Sequence, residues 1–552
     1  MRATGHVDTF AEDRLPSPAQ MPELRFDLPA MQYAERLNVA DALLDGHVAA
    51  GRGDRRCIVF PGGTWSYADL QRAANRIANA LVSDLGLVPG NRVLLRAPNT
   101  PMLAACWFAV LKAGGVVLTT MPLYRSTELR VMLETAEVEL ALCDRRLHDE
   151  LGVAAAGLDG VKIVHFGSGG AGSDGGDESL ESRDSLGSLE SLMQRASDRF
   201  ENVATAAEDV ALIAFTSGTT GKPKAAMHFH RDIVASCDSY GANVLQAEPD
   251  DLFCGSAPMA FTFGLGGHLL FPLHIGAAVL LIEKAGPMEL LDAIETHGVT
   301  TLFTAPIAYR TMTTHAYTRN LSTLRRCVSA GETLPKPVWE AWHEATGIRI
   351  LDGIGSTEML HIFVGSPSSQ VRAGSTGRAV PGYVAEVHDD DGNRVPNGEV
   401  GRLAVKGPTG CKYLSDERQG TYVQNGWNYP GDAYRMDDDG YLWYVARTDD
   451  MIVSAGFNIS GPEVEQALLM HAGVREVAVV GKRDPVKETQ IVKAFVVLAD
   501  PALASSAKEE ELRAFCIAQI APFKAPREIE FVAELPRTET GKVQRYKLRA
   551  RD

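Results

Sequence analysis

The sequence is poor in cysteine, and its cysteines form no pattern typical of a zinc site or a disulfide framework. There are eight, scattered along 552 residues, and no two form a C-x-x-C pair. We therefore expect reduced, mostly buried thiols in a cytoplasmic protein. The cysteines are Cys57, Cys106, Cys143, Cys237, Cys254, Cys327, Cys411 and Cys516.

Long apolar runs are also missing. A membrane-spanning helix needs roughly 18 or more apolar residues in a row. The longest candidate, residues 102–118, is interrupted by Lys112, Gly114 and Gly115. Residues 1–28 carry five acidic side chains and no apolar core, unlike a secretory signal peptide. The sequence therefore predicts no membrane partner.

The sequence also has no excess of basic residues. The chain has 54 Lys and Arg against 70 Asp and Glu, a formal net charge of -16. This balance disfavours non-specific binding to nucleic acid, which requires a basic surface. The length suits two or three packed domains, and 45% hydrophobic with 22% charged residues is typical of a soluble globular protein.

Helical and strand patterns alternate along the first part of the chain. Residues 67–85 and 102–111 have helical patterns, whereas residues 92–95 and 116–118 are short apolar strands. Such alternation predicts an α/β fold with parallel sheets. The pattern resumes at residue 209 after a tract at 167–187 that is rich in Gly, Ser and Asp, which we interpret as a flexible surface insertion.

A different pattern follows residue 403. Residues 407–443 are rich in Gly, Asp and Tyr, with short strand-like pieces. Beyond Arg447 the sequence predicts helices at 464–469 and 509–520 and strands at 477–480 and 491–498. These last 100 or so residues are expected to form a small α+β domain.

The most informative segment is an apolar strand, residues 211–215, that runs into a polar loop. Glycines let a backbone approach a ligand closely, hydroxyl and N–H groups donate to phosphate oxygens, and lysines supply positive charge. The spacing differs from the P-loop G-x-x-x-x-G-K-[ST], so another kind of phosphate-binding loop is predicted. The loop consists of Thr216, Ser217, Gly218, Thr219, Thr220, Gly221, Lys222, Pro223 and Lys224.

This loop resembles the signature of the adenylate-forming superfamily, which includes acyl-CoA synthetases, peptide-synthetase adenylation domains and firefly-type luciferases. The resemblance runs from about residue 35 to residue 548. Residues 227–232 (MHFHRD) and 353–361 (GIGSTEMLH) resemble benzoate-CoA and 2-aminobenzoate-CoA ligases in particular. The resemblance to the superfamily implies a large N-terminal domain, residues 1–448, with α/β sub-regions and a β-barrel-like part. It also implies a small mobile C-terminal domain, residues 449–552.

Further motifs follow in the family's order. In Gly355-Ser356-Thr357-Glu358 the carboxylate suits a hard cation. By resemblance, Glu358 coordinates Mg²⁺ and Thr357 contacts the α-phosphate of ATP. The resemblance also implies ATP contacts from Gly331 and Glu332, and it places Asp352, Gly353 and Ile354 along the adenine. Ile354 replaces the family's usual aromatic ring.

The ribose-binding and hinge motifs lie closer to the C-terminus. Asp432 in Tyr429-Pro430-Gly431-Asp432 could accept from the ribose hydroxyls, and by resemblance it does so. Arg447 matches an arginine that contacts ribose and phosphate, and Asp449 matches the hinge of the small domain. Gly usually stands where this sequence has Ala446, and again after Lys224, where it has Ala225-Ala226.

By resemblance, Lys542 in Pro536-Arg537-Thr538-Glu539-Thr540-Gly541-Lys542 is the catalytic lysine. It would bridge the acid and the α-phosphate while an acyl-adenylate forms and pyrophosphate leaves. The small domain would then turn about Asp449, and Gly456 would line the tunnel through which the thiol of coenzyme A attacks. ATP, Mg²⁺ and coenzyme A are thus the implied cofactor and co-substrates.

An acyl pocket is predicted from two segments. The first comprises Phe261, Thr262, Phe263 and Gly264, and the second ends at His361. Aromatic walls with few polar groups suit a flat aryl acid. Thr262 stands where peptide-synthetase domains carry an Asp, so no ligand for an α-ammonium group is evident. We expect Phe263 and His361 to flank the ring and Thr262 to lie near a ring substituent.

The sequence therefore indicates an AMP-forming ligase that converts an acid such as benzoate, 2-aminobenzoate or salicylate to its CoA thioester. It leaves a cyclohexane or short aliphatic acid open as the substrate. An adenylating enzyme that loads a carrier protein is the alternative, and direct assay with each acceptor would separate the two. A decayed ligase with a regulatory role would be expected to lack Lys542, Glu358 or Asp432, and all three are present. The family often forms dimers, so a homodimer is one expected state.

Overall fold

The computed structural model describes residues 4–167, 187–216, 223–447, 450–454, 457–483, 490–537 and 543–551. Within these ranges no helix combines the length and the apolar character needed to span a bilayer. The surface insertion predicted at 167–187 lies almost entirely outside them. All eight cysteines fall inside, and every one is buried without a disulfide partner.

Two sheets dominate the large α/β part. Their strands are β1 Arg56–Phe60, β2 Gly63–Ser66, β3 Arg92–Arg96, β4 Val116–Thr120, β5 Leu140–Asp144, β6 Lys162–Phe166, β7 Val210–Thr216, β8 Lys224–Phe229, β9 Leu252–Gly255, β10 Ala278–Leu280, β11 Thr301–Thr304, β12 Arg326–Ser329, β13 Ile350–Gly355, β14 Ile362–Gly365 and β15 Arg378–Ala379.

One sheet has the order β6-β5-β3-β4-β7-β8, and the other has the order β15-β14-β13-β12-β11-β9-β10-β1-β2. Both are parallel at the centre, with antiparallel strands only at the edges. In parallel strands the carboxyl ends meet at one edge of the sheet, which is where ligands bind in open α/β folds.

Helices cover these sheets. Those of seven or more residues are α1 Tyr67–Ser83, α2 Pro101–Lys112, α3 Ser126–Thr135, α4 His148–Ala155, α5 Leu189–Arg195, α6 His230–Ser236, α7 Pro287–His297, α8 Pro306–Ala316, α9 Lys336–Thr346, α10 Gly461–Leu469 and α11 Ser506–Gln519. The π-helical segment Cys237–Leu245 continues α6.

Local signals explain why these helices begin where they do. Ser66 accepts from the backbone of Asp69 and closes a capping box before α1. Thr100 caps α2, whose first residue is Pro101. The predicted helices at 67–85 and 102–111 and the predicted strands at 92–95 and 116–118 are confirmed.

An antiparallel sheet follows. It begins before the Gly-, Asp- and Tyr-rich segment, in which the composition indicated only short strand-like pieces. Its strands are β16 Val384–His388, β17 Val400–Lys406, β18 Val423–Gln424, β19 Trp427–Asn428, β20 Asp432–Met436 and β21 Leu442–Arg447. Strand β17 lies at the centre and pairs with β16, β19 and β20.

The small C-terminal part has its own core. A hairpin of β22 Ile452–Ser454 and β23 Phe457–Ile459 precedes a sheet of β24 Val474–Arg483, β25 Gln490–Leu498 and β26 Glu528–Phe531. Helices α10 and α11 pack on this sheet. The chain therefore has the predicted α/β fold, with a large N-terminal domain and a small α+β C-terminal domain.

An N-terminal arm, residues 4–31, ties the large sheets to the antiparallel sheet. Thr4 and Gly5 donate to the Asp209 carboxylate over 2.6 and 2.7 Å. Farther along, the backbone N–H of Arg25 donates to the carbonyl of Gly407 over 2.9 Å. Nothing in the residue pattern of this segment indicated the connection.

Candidate active site

The predicted phosphate loop connects two paired strands. Thr216 ends β7 and lies directly opposite Lys224, which begins β8. This pairing brings the two ends of the loop together. Ser217, Gly218, Thr219, Thr220, Gly221 and Lys222 lie outside the described residues, so their role remains a prediction.

Ala225 and Ala226, where the family usually has a glycine, lie within β8. They pair with Phe215 and Ala214 of β7, and neither has a positive φ. Both methyl groups are buried in ordinary extended backbone. Ala446 likewise lies inside β21 opposite Ala433. These departures from the family pattern therefore need no backbone strain.

Residues 410–414 lie alongside the free edge of β8. The N–H of Met227 donates to the carbonyl of Lys412 over 2.7 Å, and the N–H of Leu414 donates to the carbonyl of Ala225 over 2.9 Å. Tyr413 thereby lies opposite Ala226. Its side chain is 1% exposed, and it is held at the strand that leaves the phosphate loop.

The hydroxyl of Tyr413 connects Lys224 to Glu358. Lys224 Nζ donates to Tyr413 Oη over 3.2 Å, and Tyr413 Oη donates to Glu358 Oε1 over 2.5 Å. Burial and the charge of Glu358 raise the pKa of Tyr413, so the phenol stays protonated and acts as the donor. A lysine, a phenol and a carboxylate thus form one chain of hydrogen bonds.

Glu358 can offer one oxygen to a cation. Among the described residues, Oε1 accepts from Tyr413 and Oε2 accepts from no group. The same part of the chain contains no cluster of three or more His, Cys, Asp or Glu able to hold a metal ion. A single carboxylate with a free oxygen fits Mg²⁺, which usually takes one or two carboxylates and completes its shell with phosphates and water.

The backbone of Thr357 is fixed by His228. Nε2 of His228 lies 2.8 Å from the carbonyl oxygen of Thr357. A carbonyl can only accept, so Nε2 carries the proton. Burial, and then the nearby charge of Lys412, lowers the pKa of His228 to about 4, and the ring is a neutral donor. This histidine belongs to the 227–232 segment that suggested the aryl-CoA ligases.

Five further residues predicted to contact ATP lie at or just beyond the carboxyl ends of neighbouring strands. Ser329 ends β12 and is in register with Asp352 of β13, and Gly331 and Glu332 follow β12. The backbone of Gly331 has a φ of +92°, which favours glycine. A Cβ on Gly353 would meet Ile362 at 2.7 Å, so this position needs glycine to accommodate the neighbouring strand.

Asp352 and Ile354 on β13 both have partly buried side chains. Oδ1 of Asp352 is buried without a hydrogen bond among the described residues, and burial raises the pKa of this carboxyl well above its ordinary value. Ile354 is half-buried and packs against the main core. An aliphatic side chain therefore stands where the family usually has an aromatic ring.

Asp432 and Arg447, predicted to bind ribose and phosphate, are directly opposite each other on β20 and β21. Nη1 of Arg447 lies 3.4 Å from Asp432 Oδ2 and donates to the carbonyl of Pro430 over 3.0 Å. Gly431 has a φ of +85°, and a Cβ there would lie 2.9 Å from the guanidinium. The glycine turn is therefore required for this contact.

The same turn is held from behind by His388. Nδ1 of His388 lies 2.9 Å from Tyr429 Oη, and Nε2 lies 2.9 Å from Glu386 Oε2. Because a carboxylate only accepts, Nε2 donates to Glu386. The Glu386–His388–Tyr429 series thus anchors the residue just before Pro430.

Phe263 and His361 form an aromatic wall rather than two separate faces. Their rings are nearly parallel, with an interplanar angle of 28° and centroids 5.9 Å apart. A ring sandwiched between them would need roughly 7 Å, twice the contact distance between carbon atoms. In this structure a flat acid could therefore lie against the wall but not between the two rings.

Other aromatic rings complete the surroundings of His361. Their centroids lie at 4.5 Å for Phe271, 5.3 Å for Tyr240 and 6.5 Å for Phe303. Burial lowers the pKa of His361 to about 3, so the imidazole is neutral. Neither ring nitrogen forms a hydrogen bond within the described part of the chain.

Glycines in the helical segment that begins at Thr262 make this packing possible. Residues 262–275 are helical throughout, with a π-helical turn at Gly266–Leu270. A Cβ on Gly266 would lie 2.4 Å from the His361 ring, and one on Gly267 would lie 2.6 Å from Phe303. Gly264 is packed against the carbonyl of Pro258 in the same way.

Phe261 lies apart from this wall. It packs edge-on against Tyr124, with centroids 6.5 Å apart, in a different apolar cluster from Phe263. Thr262 between them is 7% exposed. The structure thus brings Phe263, Gly264 and His361 together but leaves Phe261 outside the group.

The small domain contacts the large one at a predicted ATP-binding residue. Arg537 lies 3.5 Å from Glu332 and 2.7 Å from Glu476. Arg537 also pairs with Val543 in a β-bridge, so the two described residues that flank 538–542 are neighbours. Lys542, like the predicted hinge Asp449 and tunnel residue Gly456, lies outside the described residues.

Three residues of the site were not among the sequence predictions. No motif in the sequence marked Tyr413 or His388 as a site residue. Tyrosine is generally abundant around Tyr413, and the residues around His388 are merely polar. His228 was part of a segment quoted only for its resemblance. All three act through contacts with residues distant in the chain, which a local pattern does not record.

Comparisons with known proteins found relatives along most of the chain. Residues 46–413 match the family described as AMP-binding enzyme, and residues 463–542 match its C-terminal domain. The chain is 34% identical over 539 residues to a benzoate–CoA ligase of Thauera aromatica, covering 95% of this chain and 97% of that protein. It is 32% identical to a 4-hydroxybenzoate–CoA/benzoate–CoA ligase of Rhodopseudomonas palustris, covering 93% and 94%.

Two solved structures are similar as well. An anthranilate CoA ligase, AuaEII, in complex with anthranoyl-AMP superposes with a TM-score of 0.87 at 32% identity, covering 95% of this chain and 99% of that one. A benzoate CoA ligase from Burkholderia xenovorans gives a TM-score of 0.82 at 31% identity, covering 93% and 100%.

Proposed function

The chain belongs to the AMP-binding enzyme family, and we propose that it activates an aryl acid of the benzoate type through an aryl-adenylate and transfers the acyl group to coenzyme A. It is an AMP-forming acid–CoA ligase, with ATP and coenzyme A as substrates. Benzoate and its hydroxy and amino derivatives are the acids on which the similar proteins are named.

One observation carries the proposal. The turn between β13 and β14 supplies Thr357 and Glu358 for the phosphates and, three residues later, His361 for the aromatic wall. The reacting carboxylate of an acid lying against that wall would therefore be close to the α-phosphate. Such positioning is the main contribution an enzyme makes to adenyl transfer.

In the first step the acid's carboxylate oxygen attacks the α-phosphorus, and pyrophosphate leaves. We assign Thr216, Lys224 and Thr357 to the phosphates, Asp432 to the ribose hydroxyls and Arg447 to ribose and phosphate. Mg²⁺ held by Glu358 would supply charge neutralisation on the phosphate oxygens. Lys542 is assigned to the carboxylate and the α-phosphate together.

In the second step the thiol sulfur of coenzyme A attacks the acyl carbon, and AMP leaves with the bonding electrons of the acyl–oxygen bond. We propose that the small domain turns about Asp449 between the two steps. That turn would withdraw Lys542 and bring Gly456 to the site. One site serving two reactions through a domain movement is a known form of gating.

We assign the recognition of the substituent on the aryl ring to Thr262. Its side chain is buried at the start of the helical segment that carries Phe263. Thr262→Val keeps the shape and removes the hydroxyl. If the preference between benzoate and its ortho-hydroxy or ortho-amino forms is unchanged in this variant, the assignment is wrong.

A cytoplasmic location is proposed because every cysteine is an unpaired thiol.

The decisive experiment measures pyrophosphate release with Mg-ATP across a panel of carboxylic acids, each with and without coenzyme A. We expect turnover that requires coenzyme A and peaks on one benzoate derivative. Adenylation that a pantetheinylated carrier protein, but not coenzyme A, accelerates would contradict the acceptor. Turnover only on aliphatic acids would contradict the substrate class.

A further inference from the structure

We propose that Tyr413 is a positioning residue for the cation-binding carboxylate of Glu358, and that it couples this carboxylate to the strand leaving the phosphate loop. The proposal rests on the proposed function, since it assigns the cation that accompanies ATP to Glu358. The direct contact is the hydrogen bond of 2.5 Å from Tyr413 Oη to Glu358 Oε1.

The direction of each hydrogen bond follows from chemistry. An ammonium only donates, so Lys224 Nζ donates to Tyr413 Oη over 3.2 Å. The single phenolic proton is then directed to Glu358, which as a carboxylate only accepts. Occupying Oε1 in this way fixes the rotamer of the carboxylate and leaves Oε2 as the oxygen available to a cation. Charge-assisted bonds of this kind are stronger than neutral ones.

The phenol has little freedom to leave this position. Backbone pairing places Tyr413 opposite Ala226, and the N–H of Tyr413 donates to Gln419 Oε1 over 2.9 Å. The ring packs edge-on against Tyr422, with centroids 5.9 Å apart. A hydroxyl held by strand pairing, a side-chain bond and ring packing is pre-organised for its acceptor.

Tyr413 also contacts the strand that leaves the phosphate loop. Lys224 and Ala226 are two residues apart on β8, so their side chains lie on the same face of the strand. Tyr413 therefore contacts the lysine that follows the loop and the carboxylate beyond it. A shift of β8 when ATP binds would be transmitted to Glu358 through one hydroxyl group.

The N-terminal arm is connected to the same group. Nε2 of Gln419 donates to the carbonyl of Gln20 over 2.8 Å and to that of Cys411 over 3.0 Å, while its Oε1 accepts from Tyr413. The arm thus contributes to the rigidity of the positioning group without touching the site.

Tyr413→Phe removes the hydroxyl and little else. Mn²⁺ is the probe, since it prefers the same oxygen ligands as Mg²⁺ and is counted by electron paramagnetic resonance. In the presence of α,β-methylene-ATP, we expect Tyr413→Phe to weaken Mn²⁺ binding ten- to hundredfold, the range typical for loss of a group that orients a metal ligand. Adenylation should fall by a similar factor, whereas thioester formation from preformed aryl-adenylate should be retained.

Tyr67→Phe is the matched control. Its hydroxyl is also buried and makes one hydrogen bond, of 2.7 Å to the carbonyl of Ala277, far along the chain from the site residues. We expect this variant to lose stability but to bind Mn²⁺ as the wild type does. Equal weakening of Mn²⁺ binding in both variants would mean that the loss is structural and would overturn the proposal.

A double-mutant cycle tests whether Tyr413 acts through Glu358. In a Glu358→Gln background, Tyr413→Phe should change Mn²⁺ affinity no further. A full additional loss would overturn the assignment. If the wild type binds Mn²⁺ with the nucleotide analogue but activates no aryl acid, the proposed function fails while the Mn²⁺ affinities still decide the role of Tyr413.

Discussion

The ammonium of Lys412 donates to Asp232 Oδ2 over 2.8 Å, and both side chains are fully buried. Asp232 also accepts from the N–H of Phe229 at the start of α6, and Lys412 immediately precedes Tyr413. The ion pair therefore ties the segment that carries Tyr413 to the helix that follows β8. Removing one member of a buried pair leaves the other charge uncompensated.

Lys412→Met is accordingly expected to lower the free energy of unfolding by about 3–5 kcal/mol, measured by urea denaturation. Lys406→Met is the control, because its partner Glu23 is exposed and such pairs contribute about 1 kcal/mol or less. Similar losses in the two variants would contradict the structural role of the buried pair.

Lys542→Ala tests the first half of the proposed reaction. We expect adenylation, measured as pyrophosphate release, to fall by about 100-fold or more, the scale of losing one charge that stabilises a transition state. Thioester formation from preformed aryl-adenylate should be largely spared. Lys547→Ala is the control, since Lys547 is exposed on the same C-terminal segment and should leave both halves unchanged.

Asp449→Pro should give the opposite result, because a fixed φ would hinder rotation of the small domain. Adenylation should persist while transfer to coenzyme A is lost, as measured by single-turnover assays of each half. If Lys542→Ala and Asp449→Pro each reduce both halves equally, the two-orientation mechanism is wrong.

Gly266→Ala should alter the aryl pocket alone. The added methyl would lie 2.4 Å from the His361 ring, so the aromatic wall must move. We expect the KM for the aryl acid to rise about tenfold, equivalent to about 1.4 kcal/mol, with the KM for ATP unchanged. Gly53→Ala, whose methyl would meet only ordinary contacts of 3.4 Å, is the control. A parallel rise in both KM values would indicate general unfolding of the site instead.

His230 should make stability depend on pH. Burial lowers its pKa from 6.5 to about 3. Below pH 6.5, His230 is therefore protonated in the unfolded chain but stays neutral in the folded protein. This stability is present above pH 6.5 and is lost as the pH falls toward 3. Between pH 7.5 and 5.0 the loss from this one residue is about 2 kcal/mol.

His230→Gln should therefore reduce the difference in unfolding free energy between the two pH values by about 2 kcal/mol. Urea denaturation at pH 7.5 and 5.0 measures the difference. His315→Gln, at an exposed position, should keep the full difference. An undiminished pH dependence in His230→Gln would show that the ring is protonated in the folded protein.

The sequence predicted elements and motifs whose signals are local. Val464–Leu469 was recognised as a helix because its apolar spacing is helical, and the structure has Gly461–Leu469. The strand predicted at residues 211–215 from its apolar run is Val210–Thr216, one residue longer at each end. Asp432 and Arg447 were predicted separately, and strand register then placed them opposite each other.

Contacts between distant parts of the chain were beyond such signals. Tyr413 and Glu358 are 55 residues apart, and the segment of Tyr413 pairs with β8 only through tertiary structure. The two-sided placement of Phe263 and His361 was predicted from residue type, but the spacing of the rings depends on Gly266 and on three neighbouring aromatic side chains. Periodicity carries no information about such distances.

The burial of all eight cysteines has a chemical consequence for an enzyme of this kind. An aryl-adenylate is a mixed anhydride, and the group that normally captures its acyl carbon is a thiolate. Cys411 is close in sequence to Tyr413, yet burial raises the pKa of its thiol well above the ordinary value. The protein thus generates an acylating agent while keeping its own sulfur atoms unreactive, and the acyl group is reserved for the thiol that arrives as a substrate.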